Sequence, residues 1–264
     1  MSRPAVVRVF RSALAPGLDA PPSEDCRTYV VIADVLRATT TLIHAFASGA
    51  RSARAFASIE AARAEARRRA VLAGDERPLL CGEKGGRRIK GFDLGNSPSE
   101  YTPEQVRGRD LLLATTNGAP AIHRTAFAAH QFVCAFVNLS ACADALTALA
   151  LRTANAPGER ELRLVAAGEG GRACAEDDAL VGALAARLLL RGAGQFALAG
   201  EDPRPFAQAA ERACAPPGCR SQSQAAASCA KSKCRTCAWT KWLAMRGMTI
   251  AKPPSATTAT FSIL

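Results

Sequence analysis

The stretch Tyr29-Val30-Val31-Ile32-Ala33-Asp34 decides the fold, because a short apolar run ends abruptly at a carboxylate. β-Branched and aromatic residues are typical of strands, so the run predicts a buried strand. A helical pattern follows from Leu42 to Ala50, with Gly49 at its close. The segment therefore predicts a strand that leads into a helix, with polar residues between them.

The same alternation continues to Arg191. Apolar runs predict four further strands, at Pro78–Gly82, Asp110–Ala114, Gln131–Val137 and Glu161–Ala167. Helical patterns predict three further helices, at Ile59–Ala73, Ser140–Arg152 and Glu176–Arg191. The segment from Met1 to Phe10 has charges within its apolar run, which favours a strand over a signal peptide. The prediction is an α/β fold with a largely parallel or mixed sheet flanked by helices, either as one body or as two lobes with a cleft between them.

Charge and cysteine are distributed unevenly. The net charge is +11, but residues 1–211 hold 26 basic and 23 acidic side chains, whereas residues 212–264 hold 8 basic and none acidic. We therefore expect a catalytic α/β region over 1–211 and an atypical basic tail over 212–264. The tail also holds five of the ten cysteines, with only one close C-x2-C pair and no histidine, which argues against a zinc site. The other five cysteines suit reduced packing residues.

Location and partners follow from the same composition. No apolar run is long enough to cross a membrane, so we expect no membrane partner and a cytoplasmic location. The nearly balanced charge of residues 1–211 gives no reason to expect a specific nucleic acid, although a basic tail can bind polyanions without specificity.

Polar residues follow the predicted strands at the point where each strand ends. In open α/β sheets, ligands bind outside the carboxyl ends of the strands, so these side chains are expected to converge on one crevice. The residues concerned are Asp34, Glu83, Thr115, Asn117, Asn138 and Glu169.

The segment Asp34–Thr41 carries a carboxylate, a guanidinium and three hydroxyls. Arg37 can clamp a phosphate bidentately, and Thr39 and Thr40 can donate single hydrogen bonds to it. Asp34 can hold Mg²⁺ or attack phosphorus. The alternative is structural: Thr39 caps a helix, and Asp34 forms an ion pair with Arg37.

Two glycine-rich segments add further candidates. Gly82–Gly86 contains Glu83 and Lys84, a carboxylate and a cation beside residues that allow close backbone approach to an anion. Gly91–Pro98 contributes Asn96 and Ser97, and Gly85–Pro103 as a whole is predicted to be loop. A solvated loop is the alternative. Thr116 and Asn117 lie in a predicted tight turn, and Asp177 lies among three acids at a predicted helix start, where acids also suit the helix dipole.

Together these strings resemble the 2-phosphosulfolactate phosphatase family. The matching segments are Asp34–Thr41, Gly82–Gly86, Gly91-Phe92-Asp93-Leu94-Gly95-Asn96-Ser97-Pro98 and Thr115–Gly118, in the family's order. The resemblance implies an α/β fold with a cleft site and Mg²⁺-dependent hydrolysis of 2-phospho-3-sulfolactate to 3-sulfolactate and phosphate, a step in coenzyme M synthesis. The substrate is therefore expected to be a small, multiply anionic phosphorylated acid. A homodimer is compatible with the sequence, which does not determine the oligomeric state.

On this basis we expect the metal on Asp34 and Glu83, with Asp177 as a further ligand or base. Arg37, Lys84, Thr39 and Thr40 are expected to hold the phosphoryl oxygens, and the substrate is expected to be positioned by Asn96, Ser97, Thr116 and Asn117. Two alternatives remain, a phosphatase for another small phosphorylated hydroxy acid and an inactive anion-binding homologue. After about Glu211 the chain departs from the family, which indicates a replaced terminus, a shifted reading frame or a disordered tail.

Overall fold

A computed structural model describes residues 3–56, 58–73, 77–192, 194–206, 208, 249–251 and 259–262. Its helices are α1 Ala38–Ala47, α2 Ile59–Ala73, α3 Pro103–Val106, α4 Gly118–Arg124, α5 Leu139–Arg152 and α6 Ala175–Arg191. Its strands are β1 Ala5–Phe10, β2 Cys26–Ala33, β3 Ser52–Ala55, β4 Leu79–Lys84, β5 Arg87–Arg88, β6 Asp110–Ala114, β7 His130–Cys134, β8 Glu159–Ala166, β9 Phe196–Leu198, β10 Thr249–Ala251 and β11 Ala259–Ser262.

The strands form one mixed sheet in the order β5-β4-β6-β3-β11-β10-β7-β2-β8-β1-β9. Five strands, β9, β1, β8, β2 and β7, are parallel to one another, with β2 and β8 at the centre. A second parallel group contains β3, β6 and β4, and β5 pairs with β4 in the antiparallel sense. Between the two groups lie β10 and β11, which make three successive antiparallel pairings. The predicted α/β class with a largely parallel or mixed sheet is therefore confirmed, and hydrogen-bonded ladders connect its two parallel groups.

Side chains of β2 alternate between the two faces of the sheet, as the pleat requires. Val30 and Ile32 pack with α1 and α4 in one core cluster. Tyr29 and Val31 pack with α5 and α6 in another. Because both faces of this strand are covered by helices, it reads in sequence as an uninterrupted apolar run rather than an alternating one.

Most predicted elements occur within a few residues of their expected bounds. The helix expected from Leu42 begins at Ala38, and the strand expected to reach Val137 ends at Cys134. The segment expected to be loop contains β5 and a short 3₁₀ turn at Pro98–Glu100. Seven short elements were not predicted: β3, β5, β9, β10, β11, α3 and α4. The four residues of β3 include no large apolar side chain, and α4 begins where a tight turn was expected.

The cysteines of the described part, Cys26, Cys81, Cys134, Cys142 and Cys174, are free thiols, as expected. The tail cysteines lie outside the described residues. Among the residues that the structure describes, no helix is long and apolar enough to span a membrane.

The contribution of β10 to the sheet can be tested by substitution. Ile250 pairs with Gln131 of β7 and with Phe261 of β11. Proline cannot donate to a ladder and is poorly tolerated inside a sheet, so Ile250→Pro is expected to lower the thermal unfolding midpoint, by about 2–4 °C for each kcal/mol of stability lost. Ile250→Val is the matched control and should unfold close to the parent. Equal midpoints for all three proteins, measured by circular dichroism, would show that β10 does not stabilise the sheet.

Candidate active site at the carboxyl ends of the strands

The carboxylate of Asp34 lies directly after β2 and is buried, with 5% of the residue exposed. Its Oδ1 accepts a 2.9 Å hydrogen bond from the backbone N–H of Ala38, the first residue of α1. The Thr39 hydroxyl lies 2.8 Å from the Asp34 carbonyl oxygen, to which it donates, and 3.0 Å from the Asp34 backbone nitrogen. These contacts fix the strand-to-helix turn and therefore the direction of the Asp34 carboxylate.

Burial is the main reason that the pKa of Asp34 is raised to about 7, with the neighbouring charge of Asp177 as the second cause. Backbone hydrogen bonds from Ala38 and Arg37 act in the opposite direction, and the charge of Glu83 raises the pKa further. Acidic groups at the end of β4 and at the start of α6 therefore influence the carboxyl group that follows β2.

Glu83 is the penultimate residue of β4 and is also largely buried. Its Oε1 accepts a 2.7 Å hydrogen bond from the Thr116 backbone N–H, and its Oε2 accepts bonds from the Thr116 hydroxyl at 3.1 Å and the Gly86 N–H at 2.8 Å. The side chain thus joins the end of β4 to the segment after β6.

The segment after β6 approaches Asp34 at Gly118. A Cβ atom built at Gly118 would lie 2.7 Å from Asp34 Oδ2 and 2.7 Å from the Ala38 Cβ, distances at which a real side chain cannot sit. Glycine is therefore required here by close approach rather than by a turn. The preceding residue, Asn117, accepts a 3.3 Å hydrogen bond at Oδ1 from the Gly170 N–H, which ties this segment to the loop after β8.

Basic side chains lie beside the acidic cluster. The Arg37 guanidinium donates a 3.2 Å hydrogen bond to the Gly86 carbonyl, so it reaches across to the turn that follows β4. Four exposed cations occupy this turn and the residues that follow it: Lys84, Arg87, Arg88 and Lys90. Positive charge at the rim would attract an anion toward the carboxylates.

Asn96 lies between α1 and the end of β4. The Thr41 hydroxyl donates to the Asn96 carbonyl at 3.1 Å, and the neighbouring Gly95 carbonyl accepts from the Gly82 N–H at 3.1 Å. The side-chain Oδ1 of Asn96 is buried and has no hydrogen-bond partner among the described residues. A buried, unpartnered amide oxygen is costly, so this atom is a strong candidate to contact a ligand. The Ser97 hydroxyl lies 3.0 Å from that of Ser99.

The structure brings together many of the residues expected at the site, but their surroundings differ. Asp34, Glu83, Thr116 and Asn117 meet directly or through one intervening residue, with Arg37 and Lys84 at the rim. The Thr39 hydroxyl is fully buried in the turn, and that of Thr40 donates to the Val35 carbonyl at 2.8 Å. Asn138 closes its own turn by bonding Ala135 and Val133, which is a structural role. Glu169 is exposed.

Asp177 is at the start of α6 and is buried. Its two carboxylate oxygens accept hydrogen bonds from the backbone N–H groups of Val35 and Gly168, at 2.7 and 3.0 Å. Burial raises its pKa, and these backbone donors partly offset the effect. The sequence identified this side chain but not its backbone partners, because nearly every residue type has a backbone N–H.

The donor chemistry fits a magnesium ion held jointly by protein and substrate. Asp34 and Glu83 supply hard carboxylate oxygens, and the unpartnered Asn96 Oδ1 is a further oxygen of the kind that Mg²⁺ prefers. Within the described ranges, no three His, Cys, Asp or Glu side chains form a ready metal cage. Mg²⁺ commonly uses one or two carboxylates together with water and phosphate oxygens, so such a cage is not required.

The fold and the cluster define an α/β protein with an acidic crevice at its strand ends and a basic rim. A family model described as 2-phosphosulpholactate phosphatase matches residues 18–224. A protein named probable 2-phosphosulfolactate phosphatase from Thermotoga petrophila is 38% identical over 178 residues, 67% of this chain and 69% of the relative. One of the same name from Synechococcus sp. strain RCC307 is 38% identical over 185 residues, 70% and 71% of the two chains. The chain belongs to the 2-phosphosulfolactate phosphatase family.

The burial of Asp34 predicts a dependence of stability on pH. Its folded pKa, about 7, exceeds the ordinary value of 3.8, so the folded state holds the proton more tightly and loses stability as pH rises from about 4 to about 7. Asp34→Asn keeps an acceptor for Ala38 and removes the buried charge. We expect this variant, in metal-free buffer at pH 8, to unfold about 2–8 °C above the parent and to show a smaller fall in midpoint between pH 5 and pH 8.

Thermal unfolding of both proteins across that pH range is the measurement. A variant that unfolds well below the parent at pH 8, with the same pH dependence, would show that the Asp34 carboxylate is not held against its ionisation.

Proposed function

We propose that this protein hydrolyses 2-phospho-3-sulfolactate to 3-sulfolactate and phosphate with the help of Mg²⁺. The observation that carries the proposal is the meeting of Asp34, Glu83 and Thr116 from three strand ends, beside a basic rim. Family membership supports it, because the relatives above bear the name of this activity.

The charge of the substrate suits the site. Its phosphate, sulfonate and carboxylate groups need cations and hydrogen-bond donors, which the rim supplies through Arg37, Lys84 and the arginines that follow. The Arg37 guanidinium uses one N–H to bond the Gly86 carbonyl, and its other N–H groups would be free to bind phosphate oxygens.

We assign Asp34 and Glu83 to the metal and Arg37 and Lys84 to the phosphoryl oxygens. Bound Mg²⁺ would supply neutralisation of the negative charge that develops on the phosphoryl, attacking and leaving oxygens. Asn96, with its unpartnered Oδ1, would orient the attacking water or complete the oxygen set. Asn117, Thr116 and Ser97 would position the rest of the substrate.

The reaction is a hydrolysis, so its balance is simple. The oxygen of water bonds to phosphorus, and the bond between phosphorus and the oxygen on the lactate carbon breaks. The proton from water ends on the departing hydroxyl group.

Thr39, whose hydroxyl is buried in the turn, would act by holding Asp34 rather than by touching phosphate.

Phosphate release tests the proposal. The purified chain should release phosphate from 2-phospho-3-sulfolactate with Mg²⁺, and chelation should abolish the release. Asp34→Asn should lower kcat/KM by about 10²–10³-fold, the scale for loss of an electrostatic group in an active site, without unfolding the protein. Asp144→Asn, on the exposed surface of α5, is the matched control and should retain full activity.

Other outcomes distinguish the alternatives. Faster turnover of a different phosphorylated hydroxy acid in a parallel panel would assign the enzyme to that substrate. Thermal stabilisation by these acids without phosphate release would indicate an anion-binding homologue that has lost turnover. Full activity of Asp34→Asn would remove Asp34 from the mechanism.

A further inference from the structure

We infer that Asp177 is a positioning residue, which holds the Asp34 loop against the loop after β8 and contacts neither metal nor substrate. The inference rests on the proposed function in one respect, since it concerns the same active site. It replaces the expected role of Asp177 as a ligand or base with a mechanical one.

Both oxygens of the Asp177 carboxylate are occupied by backbone donors. Oδ1 accepts from the Val35 N–H at 2.7 Å, and Oδ2 accepts from the Gly168 N–H at 3.0 Å. Only 2% of the residue is exposed. Two backbone donors from different loops, together with this degree of burial, suit a carboxylate that holds the loops together.

The two donors belong to neighbouring strands at the point where their ladder ends. β2 and β8 pair as far as Ala33 and Ala166. The last hydrogen bond between the two strands runs from the Ala167 N–H to the Ala33 carbonyl at 2.8 Å. Beyond this hydrogen bond the two strands continue into different loops. The Asp177 carboxylate bridges them there, in place of the next ladder bond.

The bridge acts on Asp34 from one side directly, because Val35 is its neighbour in the chain. The loop after β8 reaches the other side of Asp34 through a second path. There the Gly170 N–H donates to Asn117, and the next residue, Gly118, packs against Asp34 Oδ2. Asp177 therefore anchors both segments that enclose the reactive carboxylate.

Asp178 provides a matched control. It is the next residue of α6, is also buried, and forms a bidentate ion pair with Arg11, at 2.7 Å from Nη2. Among the described residues its carboxylate bonds to Arg11 and not to the Asp34 loop, so its loss should cost stability without moving the catalytic groups. A comparison of the two variants separates loss of a buried acid from loss of the bridge.

The first experiment compares Asp177→Asn with Asp178→Asn in steady-state kinetics. Asparagine keeps one acceptor but turns an amide N–H₂ toward the other backbone N–H. We expect kcat of Asp177→Asn to fall about 10- to 100-fold, the scale of a buried hydrogen bond replaced by an unsatisfied pair. The Mg²⁺ concentration for half-maximal activity should stay within about threefold. The pH–rate profile should keep both of its limbs and shift only toward lower pH, because the Asp177 charge raises the pKa of Asp34. Asp178→Asn should keep its kcat.

The second experiment tests the Asp177 bridge independently of enzyme activity, by measuring amide hydrogen exchange with NMR. Protection at Val35 and Gly168 should fall at least tenfold in Asp177→Asn and stay near the parent value in Asp178→Asn. This readout holds even if the parent releases no phosphate from any substrate, a result that would overturn the proposed function alone.

Three results would overturn the inference. One is a rise of tenfold or more in the Mg²⁺ requirement, or loss of one limb of the pH–rate profile, with protection unchanged; that would make Asp177 a ligand or a base. Another is substantial activity in Asp177→Glu, which keeps the charge but displaces the bridge. The third is failure of both Asp177 variants to fold while Asp178→Asn folds, which would make the residue a requirement of the fold itself.

Discussion

The site depends on holding the Asp34 carboxylate almost out of water at the end of a central strand. Burial makes the ionised form costly and raises its pKa to about 7, so the fold must compensate with backbone donors and leave space for a cation. The compensation comes from the start of α1, where backbone donors at Ala38 and Arg37 lower the pKa of the carboxyl group. In the proposed function, the charge that the fold neutralises only in part would bind the metal ion.

The second constraint is that the polar loops come from strands that are not all neighbours. β2 and β8 are paired, but β4 and β6 belong to the other parallel group, on the far side of β10 and β11. Two contacts between loops therefore join the groups at the site, Arg37 with Gly86 and Gly118 with Asp34, whereas Glu83 and Thr116 link β4 and β6 within one group. Many hydrogen bonds of the site run from backbone N–H donors to side-chain carboxylates. The site is therefore sensitive to small shifts of the loops.

The sequence predicted the parts of the fold that have a strong physical signature. The run from Tyr29 to Ala33 is apolar because both faces of β2 are buried, and α2 was located to the residue by its alternation of Ala, Glu and Arg. β3 and α4 were missed because short elements carry little periodicity, and here tertiary contacts decide them.

At the site, residue types indicated Asp34, Glu83 and Asn117. The backbone partners of Asp177 and the close approach at Gly118 depend on distances that no residue pattern contains. The expectation that the tail departs from the family lies largely outside the described residues, although the family match continues to residue 224.

The central claim is that Asp34 and Glu83 share one divalent cation. Mn²⁺ can stand in for Mg²⁺ because it favours the same carboxylate and water ligands, and its electron paramagnetic resonance signal reports the free ion directly. Titration of the purified chain should show one bound ion per chain, with affinity lowered at least tenfold in both Asp34→Asn and Glu83→Gln and unchanged in Asp144→Asn. Equal binding by the parent and by both site variants would contradict the account.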